Sequence, residues 1–231
     1  MKHFIVLLLI SIVPFMAQSQ TYEIGAFIGG ANYIGDLGNT SYISPNTTAF
    51  GAIFKWNRSA RHAFRGSITR ASIEGNDADA DDVRRRQRGY NFKNTVTELS
   101  VGLEYTFWDF NMYGGQPVST PYLYTGLTYF FYDALSKNDV NNVISKYDSA
   151  ASMSIPMVVG YKAYLGGNLV LGFEIGARYT FTDDLDGSNP IKGLEDNKSL
   201  KFGNIDSNDW YVFTGLTLTF TFGRQPCYCN F

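Results

Sequence analysis

The sequence predicts an all-β protein: an eight-stranded antiparallel transmembrane β-barrel with a filled polar lumen. Three observations carry this. Segments of about ten residues alternate between an apolar side and a small or polar side, the period of a strand with two unlike faces. The connections between these segments alternate between short and long. The acids and bases within the segments collect almost wholly on the polar side.

The clearest segment is 209–222, DWYVFTGLTLTFTF. Val212, Leu216, Leu218, Phe220 and Phe222 fall on one side, with Thr214 among them; Phe213, Gly215, Thr217, Thr219 and Thr221 fall on the other. Trp210 and Tyr211 stand at its start and Phe220 and Phe222 at its end. A strand that crosses a bilayer needs this pattern, with an apolar face for lipid and aromatic anchors at both interfaces.

Seven further strands precede it. The first, 22–32, sets Ile24, Ala26 and Ile28 against Glu23, Gly25, Phe27 and Gly29. The second, 48–57, sets Phe50, Ala52, Phe54 and Trp56 against Gly51, Ile53 and Lys55, and the third, 62–73, sets Phe64 and Ile68 against Arg65, Ser67 and Thr69. The fourth, 95–108, carries Leu99, Val101, Leu103, Tyr105 and Phe107 opposite Glu98, Ser100, Gly102, Glu104 and Thr106. The fifth is 122–132. The sixth, 152–165, has Met153, Ile155, Met157, Val159 and Tyr161 opposite Ser154, Val158, Gly160 and Lys162. It also contains Pro156, which removes a ladder donor and is expected at a bulge or near the rim. The seventh, 169–181, sets Leu171, Phe173, Ile175, Ala177 and Tyr179 against Gly172, Glu174, Gly176 and Arg178.

The first nineteen residues read as a secretory signal peptide, with a basic start at Lys2 and His3, an apolar run over 4–15, and small residues at Ala17 and Ser19 before the cleavage point. The mature chain is then a barrel over 20–222 and a tail over 223–231. The residue directly after the cleavage point is Gln20 and not Cys, so a lipoprotein anchor is not expected. The formal charge is −2, or −3 once Lys2 is removed, which excludes a strong nucleic-acid footprint. Short connections at 58–61 and 166–168, a medium one at 111–121, and long ones at 33–47, 74–94, 133–151 and 182–208 fit an outer-membrane barrel. The long loops are expected outside the cell and both termini in the periplasm, with outer-membrane lipids around the wall.

Glu23, Lys55, Arg65, Glu98, Glu104, Lys162, Glu174 and Arg178 all lie on the polar side. An eight-stranded barrel is just wide enough inside to be filled by side chains. Charges there must be paired, because an isolated buried charge is very costly. A matched network of four acids and four bases argues against a porin. It also argues against a soluble ligand-binding barrel, which would turn its large apolar residues inward.

Signals for chemistry are few, and no cofactor is implied. His62, the one imidazole of the mature chain, stands beside a short turn, where a turn residue is the ordinary reading. That is the wrong side for an outer-leaflet lipid enzyme, so the chain reads as non-enzymatic. Loop 74–92 has Asp77, Asp79, Asp81 and Asp82 followed by Arg84, Arg85, Arg86 and Arg88. Such a sign-separated block can pair with itself, bind lipopolysaccharide phosphates, meet a partner, or simply be solvated. Asp184, Asp186, Ser188 and Glu195 fall at positions 1, 3, 5 and 12 of a calcium loop, but Asn189 stands where that loop needs Gly and Pro190 follows. The alternative is an acidic surface loop. Cys227 and Cys229 end the chain; one residue apart, they would bridge each other only with strain, so a bond to another protein is open, as is no bond at all.

The opening YEIGAFIGGANYIGDLG resembles the Tyr-x-Ile-Gly-x-x-x-Gly-Gly-x-Asn-Tyr-x-Gly-Asp start of PorG-like proteins of the Bacteroidetes. RRRQRGYNFKN is similar to that family's Arg-Asn-Leu-Ser-Phe stretch, from which Gly89, Tyr90 and Asn91 depart. TPYLYTGLTYFFYD resembles its Pro-Tyr-x-Phe-x-Gly strand, FTDDLDG its Thr-Asp-Tyr-Leu-Asp-Asp loop, and a Cys near the C-terminus also matches. The resemblance implies an eight-stranded outer-membrane component of the type IX protein secretion system, docked on a periplasmic ring that contains a lipoprotein. It implies that the short turns and the Cys tail face that partner. The rival expectations are a generic OmpA- or OmpX-like barrel for adhesion or envelope integrity, acting through its long loops, and a lipid-modifying barrel enzyme.

Overall fold

The structure, a computed structural model, describes residues 21–114, 118–137, 143–204 and 207–223. The expected signal peptide over 1–19 and both cysteines, Cys227 and Cys229, lie outside these residues. Eight strands form one closed ring in sequence order: β1 (Thr21–Ile34), β2 (Thr47–Asn57), β3 (His62–Asn76), β4 (Asn91–Thr106), β5 (Ser119–Lys137), β6 (Ile144–Gly166), β7 (Leu169–Thr180) and β8 (Trp210–Gly223). Every neighbouring pair is antiparallel, and β1 closes the ring against β8 from Thr21↔Gly223 to Ile34↔Trp210. Closure removes every sheet edge, so the ladder is satisfied without water.

The two faces divide as the alternation predicts. Ile28, Phe50, Leu99, Val159 and Leu216 point outward and are exposed, while Phe27, Ile53 and the eight polar-side charges named above point inward and are buried; Arg70 of β3 is a charge on the outer face. Aromatic rings border the apolar band at both ends. Tyr22 stacks between Phe54 and Phe222, and Trp56 lies on Phe64, at the short-turn end. Tyr179 meets Phe181 and Trp210, and Tyr129 meets Phe131, at the long-loop end. Among the described residues no helix is long and apolar enough to cross a membrane.

Three features differ from expectation. Pro156 is neither at a bulge nor at the rim; it sits mid-strand, paired with Arg178 of β7. On the other side, pairing with β5 stops at Thr125↔Met157 and resumes at Thr128↔Ser154 in the same register, which accommodates the missing donor. Much of the loop expected at 133–151 is strand, because β5 and β6 continue to Lys137 and from Ile144 as a hairpin projecting past the apolar band. Within the expected loop 74–92, β3 runs on to Asn76. A 3-10 turn (Asp77–Asp79) and a short helix, α1 (Val83–Arg88), then carry the chain to β4. Asp82 caps α1 by accepting from Arg84 N at 2.7 Å, and Gly89, at φ 69°, ends it.

The glycines of the inner wall make room for crossing side chains. Gly160 is directly paired with Tyr122, and a methyl group there would stand 2.3 Å from the tyrosine Cζ. The bare backbone lets the Tyr122 ring lie over it and reach into the lumen. The turn Gly166-Gly167-Asn168 adopts the positive φ expected of a tight hairpin, at 93°, 59° and 67°.

Candidate functional site

The lumen is crossed by ion pairs, but not four against four. Glu104 of β4 gathers three cations: Lys162 Nζ at 2.7 Å, Lys55 Nζ at 2.8 Å and Arg65 Nη1 at 3.8 Å. Glu174 of β7 accepts two parallel bonds from Arg65, at 2.7 and 2.8 Å, and a third from Tyr122 Oη at 2.7 Å. Glu98 accepts from Arg178 Nη2 at 3.0 Å and from Tyr211 Oη at 3.0 Å. The expected pairing of Glu23 with a base is corrected: its partners among the described residues are neutral, Asn57 Nδ2 at 2.8 Å and Thr219 Oγ1 at 2.7 Å. Aromatic faces cover the remaining sides of the cations, with Phe213 4.2 Å from the Arg178 guanidinium carbon and Phe110 4.6 Å from Lys162 Nζ.

Both mouths are stoppered. At the short-turn end the β4–β5 connection folds inward, burying Phe110 and Met112 against Val170. At the long-loop end, Leu185 of the β7–β8 loop is fully buried among Phe92, Val96, Phe130 and Tyr132. Its N–H donates to Asp209 Oδ2 at 2.9 Å and its carbonyl accepts from Asn94 Nδ2 at 2.8 Å. Nothing in the sequence pattern singles out Leu185; a lone Leu in an acidic loop has no period.

The Arg cluster is largely structural. Arg88 grips buried Asp77 with Nε–Oδ2 at 2.7 Å and Nη2–Oδ1 at 2.9 Å, and Asp77 also accepts from Gly38 N and Tyr90 N. Arg85 donates to the carbonyls of Gly35 and Gly38, and Arg86 to those of Ala80 and Asp81. Three of the four arginines thus fasten the β1–β2 and β3–β4 loops to each other or to themselves. Arg84 alone of the four points fully outward, with Asp82 at 3.8 Å.

The four calcium candidates do not meet. Asp184, Asp186 and Ser188 are buried, whereas Glu195 is exposed and accepts from Gly193 N. Asp184 accepts from Tyr132 Oη and Thr182, Asp186 from Ser188 N, and Asp209 from Tyr33 Oη. Among the described residues no three His, Cys, Asp or Glu are arranged to hold a metal ion. The acids form a buried group under the cap instead. Burial and the neighbouring Asp186, Asp36 and Asp184 push Asp183 up to about 7, and burial raises Asp184, Asp186 and Asp209 as well. His62 is the first residue of β3, beside the short turn, its Nδ1 3.2 Å from Ser59 Oγ.

The β1–β2 loop folds down over the outside of the barrel. Asn32 occupies an outward position yet is only 3% exposed, because its amide holds the carbonyls of Ser41 and Tyr42 and accepts from Ser44 N. Gly30, also outward, leaves room for Pro45, whose Cβ would lie 2.6 Å from an added methyl.

The chain belongs to the family described as a domain of unknown function, DUF6089, which it matches over residues 1–231. Among curated proteins no sequence matches it. Its fold is similar to that of Neisserial surface protein A, NspA, at 12% identity and a TM-score of 0.50, over 88% of this chain and 97% of that one. Two other solved structures resemble it less closely. A major outer membrane protein of Thermus thermophilus has 15% identity and a TM-score of 0.48, over 89% and 100% of the two chains. Ail, the attachment invasion locus protein of Yersinia pestis, has 10% identity and a TM-score of 0.45, over 89% and 99%.

Proposed function

We propose that this chain is a non-enzymatic outer-membrane barrel of the generic OmpA or OmpX kind, serving surface contact or envelope integrity through the folded cap at its long-loop end. The observation that carries this reading is the contrast between the two parts of the molecule. The lumen is bridged by Arg65–Glu174 and stoppered by Leu185 and Phe110, so among the described residues it offers no open channel. The cap, by contrast, is a built object. Asp77, Arg85 and Arg88 lock two loops together, and Asp209 and Asn94 hold a third. Loops held in place on a rigid scaffold are where binding residues are commonly carried.

The test is a deletion strain complemented with wild type or with a chain lacking 77–90. Loss of surface adhesion or of resistance to bulky antibiotics with the shortened chain, while the barrel is still inserted, supports the reading. Full complementation by the shortened chain contradicts it.

A second reading, a PorG-like component of type IX secretion docked on a periplasmic ring lipoprotein, is favoured by the opening motif and by Cys227 and Cys229. The structure gives most of that motif a place in the barrel, however. Gly29 packs against β8, Gly30 admits Pro45, Asn32 clamps the β1–β2 loop, Tyr33 donates to Asp209, and Asp36 accepts from Asn204 N at 2.8 Å. A shared opening therefore speaks for shared architecture before shared partners. Non-reducing gels of native outer membranes with Cys227→Ser and Cys229→Ser decide the disulfide part, which fails if no mixed species disappears in either variant.

A further inference from the structure

We propose that the β1–β2 loop and the outer wall of β6–β8 together form a groove that holds one acyl chain of a membrane phospholipid. This rests on the reading of the chain as an outer-membrane barrel. The groove has a volume of about 690 Å³, within the range of small-molecule sites. Tyr42 and Ile43 form one side; Met157, Ile175, Ala177 and Val212 form the other. Ala177 is the small residue between the larger Ile175 and Tyr179 along β7, and it makes the hollow.

The loop is built to be there. Irregular backbone is not tolerated against hydrocarbon unless its polar groups are satisfied internally. Asn32 satisfies the carbonyls of Ser41 and Tyr42, at 3.2 and 3.3 Å, where the loop brings Tyr42 and Ile43 to the wall. Val212, an outward strand residue, is only 2% exposed, whereas Tyr42 and Ile43 are 78% and 56% exposed. Two large side chains held out by a polar clamp are costly in water and favourable in lipid.

The groove is continuous with the lipid-facing band. Its floor residues Met157, Ala177 and Val212 are paired across β6, β7 and β8, one outward step inside Tyr179 and Trp210 of the aromatic belt. No lining residue is charged, so nothing there selects a phosphorylated sugar headgroup; recognition is of the chain. An acyl chain entering from the belt would lie between the loop and the wall, shielded on two sides, and would leave more slowly than the surrounding lipid.

The test is native mass spectrometry of the full chain purified in mild detergent, stripped of lipid and then offered dipalmitoyl phosphatidylethanolamine and lipid A in equal amounts. Wild type is expected to retain one lipid per barrel. Ala177→Phe, which fills the hollow, and Ile43→Asp, which places a charge at its edge, are expected to weaken retention about tenfold or more. Heat-modifiable migration of each variant reports that the barrel is folded, independently of lipid. If wild type does not migrate as a folded barrel, the outer-membrane reading fails first. If it does and retains no lipid, retains lipid A in place of the phospholipid, forms dimers that need Ile43, or binds as tightly with both substitutions, the groove proposal is overturned.

Discussion

Arg65 and Glu174 meet across the full width of the barrel. They come from β3 and β7, four strands apart in a ring of eight, and join by two parallel bonds of 2.7 and 2.8 Å. A bridge between opposite walls does two things at once. It occupies the middle of the lumen, and it ties together strands that share no ladder.

Removing one end of this bridge should be worse than removing both. Arg65→Met leaves the buried Glu174 carboxylate with Tyr122 as its remaining donor, a loss of about 3–5 kcal/mol. The double variant Arg65→Met, Glu174→Leu should recover a substantial part of it. Urea unfolding in lipid vesicles measures both. A double variant less stable than Arg65→Met would show that the pair itself, rather than the stranded charge, dominates.

Tyr122 reaches Glu174 only because residue 160 has no side chain. Gly160→Val is expected to push the ring off the backbone, lose the 2.7 Å bond, and cost about 1–3 kcal/mol in the same assay. Gly114→Val, at the β4–β5 turn where the nearest atom to an added methyl is 3.6 Å away, should be far milder.

Asp77 links the β1–β2 loop, α1 and the start of β4. Asp77→Ala leaves Arg88 with the Asp36 carbonyl as its acceptor and frees the Gly38 and Tyr90 amides, a local loss of about 2 kcal/mol. The expected result is faster protease nicking within 77–90 with unchanged heat-modifiable migration. Unchanged nicking would mean that Arg85, which donates to Gly35 and Gly38, and Arg88, which donates to Asp36 O, hold the loops without Asp77.

The cap should tighten in acid. Asp183 is raised from 3.8 to about 7 by burial and by its carboxylate neighbours, so its protonated form favours the docked loop. That contribution is full below 3.8, is lost as pH rises toward 7, and changes no further above it. Asp184, Asp186 and Asp209 shift in the same direction. Hydrogen exchange at Leu185, corrected for intrinsic chemistry, should show stronger protection at about pH 5 than at about pH 8, and Asp183→Asn should reduce the difference.

The strands and the sides of their charges were legible because both follow a period of two, and each of the eight charges lies inside as its parity predicts. Who pairs with whom was not legible. Glu104 gathers three cations and Glu23 takes Asn57 and Thr219 because height and depth in the barrel set the partners, and neither has a sequence signature. The projecting β5–β6 hairpin was hidden for a different reason. Once a strand passes the apolar band both its faces meet water, as over 145–149, and the alternation that marks it disappears. The calcium spacing has no counterpart in space, because Asp184 and Asp186 are drawn inward beside Leu185 while Glu195 stays outside.

The central claim, a lumen closed by its own side chains, is tested most directly by planar-bilayer recording of the refolded full chain. The account expects no stable conductance steps with wild type, and their appearance only when the Arg65–Glu174 bridge and the Phe110 stopper are both removed. Steady, voltage-independent openings of the wild-type protein would contradict it.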